Sequence, residues 1–326
     1  MKVLLTGATG YVGHQMALKL ADQNYEVNAL VRDLNSNKIP KHKNIIPFKG
    51  DICEYYTISN AIKNCDYVFH MAAFTDLKCN KIDKFYHINV VGTKNVLEAS
   101  LEEKVKKVVY TSTLSTFGPA LYNVPITEDQ PRIASYANDY ELTKSMAEEV
   151  VSEYVSKGLT CTTLSLTRVY GPGLNTYSNG VNKIISKILK DKVLFVPSKL
   201  DVEANYVFID DVLNAGLLAI NKGKSGEKYI IGGENSDYKT LFNNIKNLSK
   251  SKIAIYPIDY DLIKNGIAFI NKLNSVFGKS FLVTPKVLDS LFTNRSASSQ
   301  KAISTLNYKC TPLKIGLMQT INHLSK

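Results

Sequence analysis

Short apolar runs alternate with stretches in which apolar residues recur every three or four positions, and the alternation starts at the first residues of the chain. Lys2–Thr6 reads as an apolar strand, and Tyr11–Gln23 has helical spacing with Val12, Met16 and Leu20 on one face. Glu26–Val31 and Ile45–Phe48 read as strands, followed by a helix near Tyr55–Lys63. Tyr67–His70 is a strand, Asp83–Glu103 a long helix, Lys107–Ser112 a strand, Tyr136–Ser156 a helix and Thr160–Thr167 a strand. Strands that alternate with helices in this way predict a parallel sheet with helices on both faces.

Beyond about residue 172 the pattern loosens. Val181–Lys190 reads as a helix, and Asn205–Phe208 as a strand leading to a helix capped by Asp210 or Asp211. Lys228–Ile231 reads as a strand closed by Gly232-Gly233, and helices are expected over Pro285–Phe292, Ser296–Leu306 and Pro312–Leu324. No repeat or linker separates these parts, so two interleaved regions are expected. Residues 1–173 and about 205–233 would carry the sheet; about 174–204 and 234–326 would form a smaller, mainly helical lobe over it. Ile267, Phe269 and Phe281 in that lobe are candidates for an apolar pocket or for core.

Composition narrows the classes. With 326 residues, 44% hydrophobic and 21% charged, a packed core is expected. No apolar run approaches the roughly 18–20 residues of a membrane span, and the N-terminus does not read as a signal peptide, so a cytoplasmic protein is expected. Five scattered cysteines without C-x-x-C spacing argue against a disulfide framework and against a metal site. The net charge of +11 raises nucleic acid or a phosphorylated ligand as partners. The basic residues are dispersed and no nucleic-acid motif accompanies them, which leaves a small molecule.

Thr6-Gly7-Ala8-Thr9-Gly10-Tyr11-Val12-Gly13 follows the first strand directly. Gly7 suits a tight turn, Gly10 a close approach of a pyrophosphate to the backbone, and Gly13 close helix–strand packing. The free N–H groups and positive dipole end of the following helix would face the anion. Between a strand and an amphipathic helix, this turn predicts nucleotide binding in a Rossmann-type, doubly wound sheet. At the end of the second strand Arg32 and then Asp33 stand where an acid would select NAD, with Lys38, Lys41 and Lys43 beyond. Arg32 favours NADP over NAD through a 2′-phosphate, while Asp33 keeps a ribose contact open.

Two Y-x-x-x-K matches occur, Tyr140/Lys144 and Tyr260/Lys264. The spacing alone decides nothing, but Tyr140 opens a helix after a strand ending Thr111-Ser112-Thr113. Side chains four residues apart share one helix face. A phenol with an ordinary value near about 10 needs a nearby cation to act at neutral pH. Lys144 and an oxidised nicotinamide would supply it, with Tyr140 moving the proton, Lys144 bonding the ribose and Thr113 holding the reacting oxygen. Tyr260 lacks such a hydroxyl-bearing strand and reads as structural.

Taken in order, these residues resemble an extended short-chain dehydrogenase/reductase over nearly the whole chain, from Thr6–Gly13 to Leu306–Pro312. The resemblance implies that Asp51 and Ile52 contact adenine and that Ala72 and Ala73, after His70-Met71, lie along the cofactor. It places Asn89 beneath the nicotinamide half, makes Thr113, Tyr140 and Lys144 the catalytic set, and gives Val169 to the closing loop Arg168–Gly173. Val31-Arg32-Asp33 and Gly226–Asn235 resemble the dihydroflavonol-reductase-like branch, which reduces ketones or aldehydes with NADPH. Leu114-Ser115 stand where the family's dehydratases carry Asp-Glu, so water elimination lacks an acid/base pair. The rival readings are a nucleotide-sugar epimerase holding NAD tightly, which Arg295 alone serves poorly as a diphosphate clamp, and a non-catalytic cofactor sensor. A homodimer pairing the Tyr140 helix and the Asp83–Glu103 helix is also implied.

Overall fold

The computed structural model describes residues 1–79, 81–121, 123–176, 179–276 and 284–325. Six strands follow the expected order: β1 (Lys2–Thr6), β2 (Glu26–Val31), β3 (Ile45–Lys49), β4 (Tyr67–His70), β5 (Lys107–Thr113) and β6 (Cys161–Leu166). The inner strands are buried on both faces; Val3, Leu4 and Leu5 of β1 and Val108, Val109 and Tyr110 of β5 have no exposed surface, while the edge strand β3 is buried only at Ile45. Continuous apolar runs of this kind suit a sheet covered by helices on either side.

Three short strands follow: β7 (Arg168–Tyr170), β8 (Val193–Pro197) and β9 (Glu203–Phe208), then β10 (Lys228–Ile231), β11 (Glu234–Asp237) and β12 (Ala254–Ile258). The main sheet is seven-stranded and parallel, in the order β10-β6-β5-β4-β1-β2-β3. Strand order reverses between β1 and β4, where Val3 lies beside both Val27 and Tyr67. The crevice at the carboxyl ends of β1 and β4 is therefore the topological switch point where such sheets bind ligands.

The helices Tyr11–Asp22 and Ile209–Lys222 pack on one face through Met16, Leu20, Val212 and Ala215. On the other, Tyr55–Ile62, Gly92–Glu102 and Asp139–Ser156 contribute Ile58, Val96, Ala147 and Val151. A smaller sheet, β11-β9-β7, and the parallel pair β12-β8 lie outside the main sheet. The C-terminal region is helical over Tyr238–Ser249, Tyr260–Val276, Pro285–Leu291, Gln300–Leu306 and Leu313–Leu324. Among the described residues no helix is long and apolar enough to cross a membrane.

Two expected helices start later than the sequence suggests. Tyr136–Ser156 is helical only from Asp139, because Asn138 caps it there. Ser296–Leu306 is helical only from Gln300, because Arg295 and Ala297 are held extended by bridges to Ala204 and Ile126. Tyr260 is tied to its surroundings as a structural residue: its hydroxyl donates to Asp289 at 2.7 Å, and Lys264 pairs with the same carboxylate at 2.9 Å.

Candidate active site

At the end of β1 the chain turns with Gly7 at φ +83°, and a Cβ there would sit 2.8 Å from the Ala72 nitrogen. A Cβ on Gly13 would lie 2.2 Å from the Gly7 carbonyl oxygen, so the helix packs against the turn at a distance that only glycine allows. The Gly10 N–H donates to the Gly7 carbonyl at 2.9 Å. The helix Tyr11–Asp22 has neither a capping side chain nor an acidic residue in its first turn. Its N-terminal N–H groups and dipole thus face the crevice uncompensated, which suits a pyrophosphate, with half-buried Thr9 and Val12 beside it.

The walls of this crevice come from other strands. Thr6 Oγ1 accepts the Ala72 N–H at 3.2 Å, which fixes Ala72 and Ala73 next to the turn. The Tyr11 hydroxyl donates to the Gly171 carbonyl at 2.8 Å and Gln15 to the Pro172 carbonyl at 3.3 Å, so the loop after Val169 is fastened to the same helix end. Asp51 accepts the Cys53 N–H at 3.0 Å, and Ile52 is buried against Gly92. Arg32 and Asp33 are exposed past the end of β2, with Asp33 accepting the Asn35 N–H at 2.9 Å.

Thr113 ends β5 and caps a single 3-10 turn, Leu114–Phe117, by accepting the Ser115 N–H at 3.3 Å. Its hydroxyl is also a partner of the Tyr140 phenol. Burial pushes that phenol up to about 12; Thr113 draws it down, and Glu141 and Glu148 push it further up. Asn138 caps the Tyr140 helix by accepting the Glu141 N–H at 2.9 Å, which sets the register that brings Tyr140 to Thr113.

Lys144, one turn along, is 2% exposed. Its Nζ donates to the Tyr110 hydroxyl at 2.6 Å and to the Thr111 carbonyl at 2.9 Å, and burial brings it down to about 7. The pair thus occupies one helix face as expected, but Lys144 is turned toward β5. Asn89 lies on a π-helical turn, His87–Val91, between the helical segments Ile82–Tyr86 and Gly92–Glu102. Its side chain accepts the Phe74 N–H at 2.7 Å and donates to Thr143 Oγ1 at 3.1 Å, joining the loop after Ala73 to the Tyr140 helix.

An ion cluster that sequence reasoning missed lies beside Tyr140. Glu141 is 2% exposed and pairs with Arg132 at 2.9 Å and Arg295 at 2.5 Å. Arg132 also donates to the Ser115 and Thr116 carbonyls at 2.8 and 3.1 Å, stapling the loop before Tyr140 to the turn after Thr113. Arg295, which would serve a diphosphate clamp poorly on its own, pairs with Glu141. The only available signal was an acid directly after the tyrosine, with arginines distant in sequence. Of the suggested pocket residues, Ile267 is half-buried, Phe269 is 64% exposed and not core, and Phe281 lies outside the described residues.

His70 is fully buried between Thr6 and Thr93, and burial, with Lys144 nearby, brings its imidazole from 6.5 down to about 3. The unfolded chain takes up a proton that the folded chain refuses, so folded stability from this group is complete above 6.5 and falls as pH drops toward 3. Melting temperature should therefore fall by on the order of 4 °C between about pH 6.5 and 5, above the carboxylate range. A flat profile in thermal melts over that interval would contradict a neutral buried ring.

A family model, the NAD dependent epimerase/dehydratase family, matches residues 3–232. The chain is 25% identical over 263 residues to sterol demethylase protein B of Methylococcus capsulatus, covering 79% of this chain and 78% of that one. It is 25% identical over 253 residues to a putative dihydroflavonol 4-reductase of Synechocystis, covering 75% and 71%. The crystal structure of UDP-glucose 4-epimerase with UDP-glucose from Thermotoga maritima superposes with a TM-score of 0.83 at 21% identity, covering 100% of this chain and 99% of that one, a likeness of fold. With the glycine turn at the switch point and a match running through β10, the chain belongs to the NAD-dependent epimerase/dehydratase family, the extended short-chain dehydrogenases/reductases.

Proposed function

We propose that the chain is a carbonyl reductase preferring NADP, reversible toward alcohol oxidation, with Tyr140 as proton donor and acceptor. The observation that carries this reading is the half-buried Tyr140 phenol beside Thr113 at the carboxyl end of β5, with Leu114-Ser115 and no acid pair after it. The likeness to a putative dihydroflavonol 4-reductase points the same way.

A bound nicotinamide cofactor supplies the hydride. Gly7, Thr9, Gly10, Tyr11, Val12 and Gly13 would hold its pyrophosphate, and Asp51 and Ile52 its adenine. Ala72, Ala73 and Val169 would line its path, with Asn89 fixing the floor below. Thr113 would orient the substrate oxygen by a hydrogen bond. Tyr140 would give its proton to that oxygen in reduction and recover it in oxidation, while Lys144 steadies the phenolate and reaches the ribose. Residues about 174–204 and 234–326 would choose the substrate, and the chain would work as a cytoplasmic homodimer.

Screening ketones and aldehydes for loss of NADPH absorbance tests the proposal. Turnover that Tyr140→Phe removes is expected; no consumption with any carbonyl, together with tightly retained NAD+, would turn the reading to the epimerase. Arg32→Ala should raise the NADP dissociation constant about tenfold or more while leaving that for NAD nearly unchanged, since a charge-assisted contact to phosphate is lost. Equal changes in the two titrations would remove Arg32 from the 2′-phosphate.

A further inference from the structure

Five side chains from β1 to the Tyr140 helix form one buried run of polar groups under the carboxyl end of the sheet. Thr6 Oγ1 lies 2.7 Å from His70 Nδ1, and His70 Nε2 lies 2.9 Å from Thr93 Oγ1. Thr93 is also a partner of the Tyr110 hydroxyl, which sits 2.6 Å from Lys144 Nζ. All five are buried, His70 and Tyr110 completely.

With Lys144 charged, their donors and acceptors fit one assignment. An ammonium only donates, so the Tyr110 oxygen accepts from Lys144 and its own proton is left for the neighbouring Thr93 hydroxyl. Thr93 gives its proton to the Asn89 carbonyl at 2.6 Å, so His70 Nε2–H must also donate to it. His70 Nδ1 is then the acceptor for the Thr6 hydroxyl, whose oxygen takes the Ala72 N–H at 3.2 Å. Every member then has a partner with the imidazole neutral, and Thr93 stands beside the Tyr110 hydroxyl.

We propose that Tyr110 is a positioning residue for Lys144: its hydroxyl is the fixed acceptor that holds the ammonium one turn from Tyr140 and favours its charged form, with Thr93, His70 and Thr6 setting the hydroxyl's direction. The proposal rests on the reading of Tyr140 and Lys144 as the acid/base pair. Phenylalanine would fill the same space in β5, so the sheet has no need of the hydroxyl, and a buried hydroxyl is tolerated only when it is bonded. The groups facing the pair are His70 on β4, Cys161 on β6, and Tyr140 and Glu148 on the helix. Glu148 favours the Lys144 charge but is itself held by Ser112, Thr116 and Lys228. Because burial already brings Lys144 down to about 7, loss of an acceptor changes its charge within the working range of pH.

Tyr110→Phe keeps the ring and removes the hydroxyl. With an alcohol whose ketone the chain accepts, the midpoint of the kcat/KM–pH profile for oxidation should rise by about one unit, since a less charged Lys144 supports the Tyr140 phenolate less. Activity near neutral pH should fall about tenfold and recover at higher pH. Thr93→Val, which takes away the hydroxyl's own acceptor, should shift the midpoint the same way by less, and it serves also if Tyr110→Phe does not fold. A loss uniform across pH, with the midpoint unmoved in either folded variant, would overturn the proposal. Lys144→Met and Tyr140→Phe separate the two failures. If these keep turnover, the acid/base pair itself is wrong; if they lose it while Tyr110→Phe keeps the wild-type midpoint, only the role of Tyr110 falls.

Discussion

Tyr140→Phe should lower turnover by about a hundredfold to ten-thousandfold while leaving cofactor affinity within a few fold. The substitution removes one hydroxyl from a half-buried residue and spares the glycine turn, where affinity for the cofactor would reside. The size of the effect follows from the environment. Burial pushes the phenol up to about 12, so it cannot ionise at neutral pH without help, and no water at that position would be matched to the substrate oxygen by Thr113. Steady-state rates and NADPH titration of the same preparation separate the two quantities. Turnover retained in a variant that binds cofactor would remove Tyr140 from proton transfer.

Gly13→Val should abolish cofactor binding and destabilise the fold by about 1–3 kcal/mol. Its Cβ would lie 2.2 Å from the Gly7 oxygen and 2.8 Å from the Gly7 carbon, both backbone atoms that cannot move aside cheaply. The helix Tyr11–Asp22 must shift outward, which carries its N-terminal N–H groups away from the turn and strains the Tyr11 contact with Gly171. Gly266→Ala is the matching control, because a Cβ there meets nothing within 4 Å in the helix Tyr260–Val276. It should leave cofactor binding unchanged and raise stability slightly, as alanine is the better helix former. Thermal melts and cofactor titration of the pair decide the matter: equal affinities would mean that the turn is not the pyrophosphate site.

The main sheet was legible because its inner strands are buried on both faces, which leaves unbroken apolar runs such as Val3-Leu4-Leu5 and Val108-Val109. The glycine turn was legible because steric need restricts Gly7 and Gly13 to one residue type. Elements made by pairing rather than by pattern were not. Glu234–Asp237 has the composition of a turn and is extended because it pairs antiparallel with β9. Ser296-Ala297 has the pattern of a helix start and is held extended by bridges to neighbours distant in sequence. Tyr110 was read as part of an apolar strand, since nothing local tells a phenol that fills space from one that holds a lysine. The inward direction of Lys144 likewise depends on its contact with Tyr110 on another element, and the Arg132–Glu141–Arg295 cluster on a pairing across 154 positions.

The most direct test is native mass spectrometry of the purified chain with NADP+ and NAD+ added in turn, alongside Gly13→Val. One nucleotide bound per chain, NADP+ more tightly than NAD+, and none on the variant is the expected result. A chain that binds neither nucleotide, or a variant that binds as well as the parent, would contradict a cofactor held at the Gly7–Gly13 turn and the redox chemistry built upon it.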